Sequence, residues 1–224
     1  MPEFIIVSLA VLFSLVLWWM YRKHHQQVSQ SRAALLSDCN KVITISETQF
    51  DSAGYAAIKG EFASTPISLR LEVDNLTARK IPVMWLHITM PRQDKNGGSL
   101  DILVRPQIND IYSPSWSWNK VVTPLTGWPQ HARFMSKDKT PNLTLIDDDV
   151  RNLFADERTK ELVVTPEAVR LTYLIRQADR GHYLLLRSVD FDQSPIDSDQ
   201  VAALGRQLRH LLGSLEGGYQ NEVA

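Results

Sequence analysis

The chain has 224 residues, of which 44% are hydrophobic and 22% charged, and its formal net charge at pH 7 is −1. These values exclude a collagenous, low-complexity or disordered protein, and they leave no strong positive field of the kind that attracts nucleic acid. The single cysteine, Cys39, excludes an intramolecular disulfide.

Residues 4–20 form an apolar run without a charged side chain. As a helix, this run would be about 26 Å long, close to the ~30 Å hydrocarbon thickness of a lipid bilayer. We therefore predict a transmembrane anchor over residues 1–25, with residues 4–20 in contact with lipid. Aromatic rings and positive charges follow the run and favour the headgroup level. The residues that we place at the membrane interface are Trp18, Trp19, Tyr21, Arg22 and Lys23.

The charges that flank the apolar run indicate whether it is cleaved and how it is oriented in the membrane. A cleaved signal peptide, which is the alternative, has Lys or Arg before its apolar core and a small-residue cleavage site after it. Here Glu3 is the only charged residue before the run, whereas Arg22, Lys23 and Arg32 follow it. We therefore expect an uncleaved anchor, with the N-terminus outside and the rest of the chain in the cytoplasm.

The anchor is predicted to continue as a helical stalk over residues 26–50. Neither Pro nor Gly interrupts residues 26–42, and apolar side chains recur there with helical spacing. These side chains are Val28, Leu35, Cys39 and Val42. The stripe would pack on the soluble domain, which we favour, or on the stalk of a second copy. Ala10 and Ser14 have the spacing of packed membrane helices, so a homo-oligomer stays open.

Residues 51–224 are predicted to form one soluble α+β domain. Three strand-like runs come first, at residues 56–63, 67–74 and 81–90. The second run alternates apolar and polar residues, as a strand with one solvated face does. The third run is nearly all apolar, as a central strand covered on both faces is. A shorter run at residues 100–104 would extend this sheet.

The second half of the domain begins with a predicted helix at residues 147–155. Three aspartates open it, and they suit the positive end of a helix dipole. Strands are predicted at residues 161–165, 169–176 and 183–190, and a C-terminal helix with an apolar stripe begins near Val201. The predicted fold is thus an antiparallel sheet built from two three-stranded meanders, with both helices packed on one face.

A short internal match relates residues 65–71 to residues 165–171. It suggests that the domain consists of two related halves, at about residues 51–110 and 130–224. Chance or the shared chemistry of strands explains so few identities equally well. Both explanations stay open.

A long irregular segment at residues 109–129 is rich in Pro, Ser and Trp. Loops that present Trp and Tyr supply large, rigid contact areas at low entropic cost. The same rings could instead contact the membrane interface, or cover the sheet as a structural plug. The candidate partner-binding residues are Tyr112, Trp116, Trp118 and Trp128.

The sequence contains no nucleophile elbow, phosphate-binding loop or dinucleotide fingerprint, and its histidines lack zinc-type spacing. We therefore predict no catalytic residues, no metal and no cofactor, and we lean towards a protein that is not an enzyme. The alternative is an enzyme or a small-molecule-binding domain whose site is assembled from distant residues. His87, His131 and the carboxylates of residues 147–149 are the candidates for such a site.

Three strings resemble those of a group of uncharacterised proteobacterial proteins with one N-terminal transmembrane helix and a soluble α+β domain. They are LTARKIPVMWL at residues 76–86, LVRP at 103–106 and YLLLR at 183–187. The resemblance implies a bacterial inner-membrane protein, and it brings no activity or site residues. The anchor and the Trp-rich segment favour a membrane-tethered interaction or assembly module, an accessory subunit that binds a membrane or cytoplasmic protein.

Overall fold

The fold, taken from a computed structural model, combines an N-terminal helix, a nine-stranded antiparallel sheet and a layer of helices. The residues that the structure describes are 2–74, 81–92, 94, 97–106, 113–187 and 189–222. This architecture confirms the predicted α+β class with an antiparallel sheet.

The elements follow one another along the described residues in a mixed order. The α-helices are α1 (Pro2–Ala33), α2 (Asp147–Phe154), α3 (Arg180–Leu186) and α4 (Ser198–Glu222). Short 3₁₀ helices occupy Ala34–Lys41, Pro114–Ser117 and Leu143–Ile146. The strands are β1 (Thr44–Phe50), β2 (Ala56–Phe62), β3 (Thr65–Asp74), β4 (Val83–Pro91), β5 (Leu100–Val104), β6 (Lys120–Val121), β7 (Ala132–Ser136), β8 (Thr159–Val164) and β9 (Ala168–Gln177).

The sheet has the strand order β1-β2-β3-β4-β9-β8-β5-β7-β6. Strands β1 to β4 form a meander, and the β8–β9 hairpin lies between β4 and β5. Strand β4 is therefore central, and most of its side chains are buried or half-buried on both faces. This is the position that its nearly apolar sequence predicts.

One face of the sheet carries the hydrophobic core beneath α4. Leu208 and Leu211 of α4 and Leu86 and Ile88 of β4 are fully buried in this core. The apolar stripe of α4 lies against the sheet, and α2 packs beside α4 in the same layer. Both helices thus cover one face, as the sequence predicts.

The chain leaves the helical conformation earlier than the predicted stalk at residues 26–50. An exposed edge strand, β1, occupies Thr44–Phe50. The helical spacing identified core contacts correctly, because Leu35 and Cys39 are buried in the core of the domain. It missed β1 because TISETQF is exposed at nearly every position and has no apolar alternation.

The strand predicted at residues 183–190 is wrong, because Arg180–Leu186 form α3 instead. The carboxylate of Asp179 accepts a hydrogen bond from the backbone N–H of His182 at 2.6 Å and caps this helix. Arg187 ends the helix in the left-handed region, with φ at 54°. The second predicted meander therefore keeps β8 and β9 and lacks its third strand.

Helix α1 contains a stretch that is long and apolar enough to cross a membrane, and no described part of the chain covers it. At the end of this stretch, Arg22 lies over the ring of Trp18 and Lys23 over that of Trp19, each 5.2 Å from the ring centroid. A helix of this length and composition is found both in membrane anchors and in signal sequences.

Candidate protein-interaction site

The 3₁₀ helix Pro114–Ser117, called here the Trp116 turn, presents a tryptophan at the surface. Pro114 stands at the start of the turn, where its fixed φ suits a helical conformation. Trp116 is 47% exposed. Its ring faces the guanidinium of Arg133 on β7, whose Cζ lies 3.9 Å from the ring centroid. The turn therefore displays an aromatic ring stacked on a cation.

Buried polar side chains hold the Trp116 turn on the sheet. The hydroxyl of Ser113 donates to Asp101 Oδ2 at 3.3 Å and lies 3.1 Å from the hydroxyl of Ser115. Arg133 donates to the Ser115 hydroxyl, and its guanidinium lies 4.0 Å from the Asp101 carboxylate. Asp101 is fully buried on the sheet face away from the core, because its two neighbours in β5 belong to the core.

The carboxyl group at the centre of this cluster has a shifted pKa. Burial, and after it the nearby carboxylate of Glu161 on β8, raise the pKa of Asp101 to about 7. Hydrogen bonds from Ser115 and Ser113 and the charge of Arg133 oppose the rise. The charge beneath the Trp116 turn therefore changes with pH close to neutrality.

Polar contacts continue across the same face of the sheet. The fully buried Glu161 accepts hydrogen bonds from Arg170 at 3.0 Å and from the Thr172 hydroxyl at 3.3 Å. Thr172 Oγ1 lies 3.1 Å from His87 Nδ1, and His87 Nε2 lies 3.4 Å from the Glu72 carboxylate. His87, together with Arg70, lowers the pKa of Glu72 to about 2. This chain of contacts links β8, β9, β4 and β3.

The candidate partner-binding residues divide between surface and core. Trp116 is exposed and Trp118 half-buried, while Tyr112 lies outside the described residues. Trp128 is only 5% exposed, and its indole N–H donates to the Asp147 carboxylate at 2.7 Å. Trp128 therefore packs in the core, and Trp116 is the most exposed of the three tryptophans.

The candidates for an assembled enzyme site lie apart in the fold. His87 is on the polar face of the sheet, whereas residues 147–149 begin α2 in the helical layer on the other face. His131 is exposed just before β7. The carboxylates of Asp147 and Asp149 accept hydrogen bonds within the helical layer, from Trp128, Arg151, His210 and Ser214. Among the described residues, no three His, Cys, Asp or Glu side chains are placed to hold a metal ion.

No protein-family model matches the chain, and no curated protein does. Among solved structures, the chain aligns with the crystal structure of the mycobacterial trehalose monomycolate transport factor A, TtfA. The alignment has 9% sequence identity and a TM-score of 0.45, and it covers 84% of this chain and 94% of that chain. A likeness at this level carries no functional argument. The resemblance to bacterial membrane-anchored proteins therefore rests on the sequence alone.

A groove of about 1130 Å³ opens between α1 and the edge of the sheet. His24, Gln27 and Val28 line it from the side of α1, and Val189 and Phe191 line it from the segment after α3. The groove lies beside the end of the apolar stretch and is open to solvent.

The buried cluster of Asp101, Glu161 and Arg133 was not predicted from the sequence. The available signal was a charged residue beside buried apolar ones in a strand, which occurs as Asp101 in LDILV of β5 and as Glu161 before the LVV of β8. A buried charge requires a partner, and Arg133 on β7 supplies one for Asp101. Which residue supplies it depends on strand pairing, which local patterns do not encode.

Proposed function

We propose that this protein is a membrane-tethered interaction module that binds a protein partner through the Trp116 turn. Helix α1 supplies the tether, because its exposed apolar stretch matches the hydrocarbon thickness of a bilayer. The positive charges of Arg22, Lys23 and Arg32 after this stretch favour a cytoplasmic domain. The protein would act as an accessory subunit at the bacterial inner membrane.

The fixed exposure of Trp116 is the observation that carries this proposal. An exposed indole offers a partner a large apolar surface, and Trp and Arg are enriched among the residues that dominate binding energies. Arg133 stacks on the ring, and Ser113 and Ser115 hold the turn to the buried Asp101. Because the ring is already ordered, little conformational entropy would be lost on binding.

Site-specific photo-crosslinking in native membranes tests the interaction. A photoreactive phenylalanine analogue would replace Ser117, which is exposed beside Trp116, or Leu145, which is exposed in the helical layer and serves as the control. We expect discrete crosslinked species from position 117 and not from position 145, and their loss in Trp116→Ala. The same species from both positions, or species that persist in Trp116→Ala, would contradict binding at the turn.

The tether is tested separately by alkaline extraction of membranes and by N-terminal analysis of the mature chain. We expect the full chain to remain with the lipid at high pH and to dissolve only in detergent, because residues 4–20 are costly to expose to water. A mature chain that begins beyond residue 25 would contradict the tether.

A further inference from the structure

Helix α3 places three consecutive leucines at the surface. Leu184, Leu185 and Leu186 are 55%, 84% and 72% exposed, and Val189 beyond them is 42% exposed. Tyr183 at the start of this run is buried and fixes the helix to the domain. A contiguous apolar patch of this kind on a folded domain indicates a contact surface.

Helix α3 lies at the end of the sheet that adjoins α1. The backbone N–H of Ala178, just before α3, donates to the carbonyl of Pro82, just before β4. In the β1–β4 meander, the β1–β2 turn lies at the same end as the start of β4. That turn is bound to α1, because the Arg32 guanidinium donates to the carbonyl of Ala53 at 2.7 Å.

This end of the sheet lies at the level where α1 would leave the bilayer. Ser52 of the β1–β2 turn borders a small cavity together with Tyr21 and His24 of α1. His24 is about 6 Å along the helix axis from Met20, the last residue of the apolar run. The headgroup layer is roughly 5 to 8 Å thick on each side of a bilayer. Val189, three residues beyond α3, lines the larger groove together with His24.

Charged residues beside the leucines favour a lipid surface as the occupant of this patch. Arg180 precedes the leucines and Arg187 follows them. The carboxylate of Asp179 is engaged in the helix cap, and that of Asp190 lies 3.3 Å from His182 Nδ1. Exposed leucines flanked by arginines have the pattern of interfacial segments, in which cations meet anionic headgroups and apolar side chains enter the acyl boundary.

We propose that α3 is a second membrane contact, which inserts Leu184, Leu185 and Leu186 among the headgroups of the bilayer that holds α1. The proposal rests on the proposed tether, since α1 brings α3 to the lipid surface. Its consequence is that the domain is held at the membrane at two points, by α1 and by α3.

A fluorescence experiment on the full chain in nanodiscs that contain anionic phospholipid tests this contact. An environment-sensitive NBD label would be attached at Leu185→Cys or, as the control, at Val121→Cys, which is exposed on the far edge strand β6. Cys39 is fully buried and burial raises its pKa to about 11, so it should stay unlabelled in the folded chain. Lipids with a doxyl quencher near the headgroup then report proximity to the bilayer surface.

We expect blue-shifted emission at position 185 and doxyl quenching at least about twofold stronger than at position 121. Equal quenching at the two positions would overturn the contact and leave the tether intact. A blue shift at position 185 without doxyl quenching would overturn it as well, because it would indicate that protein covers the leucines. A chain that fails to stay in the nanodisc would overturn the tether, and with it the contact.

Discussion

The guanidinium carbon of Arg133 lies 3.9 Å from the centre of the Trp116 ring. The same guanidinium lies 4.0 Å from the buried carboxylate of Asp101 and donates to the hydroxyl of Ser115. One side chain therefore joins the exposed indole to the interior of the sheet. Changes at Arg133 and at Trp116 should have different effects for this reason.

Arg133→Met should lower the free energy of unfolding by about 1–3 kcal/mol, because it removes the cation beside Asp101 and the hydrogen bond to Ser115 from a buried cluster. Trp116→Ala should change this free energy by less than about 0.5 kcal/mol, because the ring is exposed. The same substitution should abolish the crosslinks from position 117. Thermal unfolding of both variants in mild detergent measures the difference. Equal losses of stability would contradict the division of roles.

Asp101 should make stability fall as pH rises towards neutrality. Its pKa is about 7 in the folded chain and about 3.8 without the fold, so the folded state binds the proton more tightly. The contribution of this group is therefore fully present below about pH 3.8 and is lost as pH rises through about 7.

Asp101→Asn removes this dependence, so its stability relative to wild type should increase between about pH 5 and pH 8. Thermal unfolding at intervals of one pH unit measures the trend. Asp148→Asn, at an exposed aspartate in α2, is the matched control and should follow the wild type. A constant difference between Asp101→Asn and wild type across this range would show that the carboxyl does not titrate there.

Glu72 should have the opposite pH dependence. Its pKa is lowered from 4.5 to about 2, mainly by the hydrogen bond from His87, so its contribution is present above about pH 4.5 and is lost as pH falls through about 2. Glu72→Gln should cost roughly 1 kcal/mol near neutrality and progressively less in acid. Urea unfolding in a double-mutant cycle with His87→Gln should show that the two changes are not additive. Additive costs would contradict a direct interaction.

Trp128→Phe should lower the free energy of unfolding by about 1 kcal/mol, because it keeps an aromatic ring in the core and removes the donor to Asp147. The remaining hydrogen bonds from Arg151 to Asp147 limit the loss. Trp118→Phe, in the same segment but half-buried, is the control and should cost less. Equal costs would indicate that the indole hydrogen bond contributes nothing to stability.

Elements whose own periodicity reflects their surroundings were predictable from the sequence. The apolar β4 occupies the centre of the sheet, and α4 buries its stripe of leucines against the core. Strand β1 was not predicted, because an exposed edge strand has no buried face and so shows no alternation of apolar and polar residues. Helix α3 was predicted as a strand, because its run of leucines suggests a buried strand. The side-chain cap from Asp179 favours a helix instead.

The candidate site was predictable in part. The tryptophans of residues 109–129 marked an unusual segment, but composition alone does not separate the exposed Trp116 from the buried Trp128. That distinction depends on two partners distant in the chain, Arg133 beneath the first ring and Asp147 beside the second. Such pairings are set by the tertiary fold, and no local pattern of residues contains them.

Helix α1 runs into the core without an intervening joint. Leu35 and Leu36 are buried immediately after the helix ends, and residues 26–42 contain neither glycine nor proline. In a tethered protein this connection is a rigid helix and not a flexible linker. From Met20 to Ala33 it spans about 20 Å. A binding partner would therefore meet the domain at a fixed height above the lipid and in a fixed orientation. Inserting one residue between Met20 and Ala33 would rotate the domain by about 100° around the helix axis. Trp116 would then point away from a partner that the unaltered chain binds.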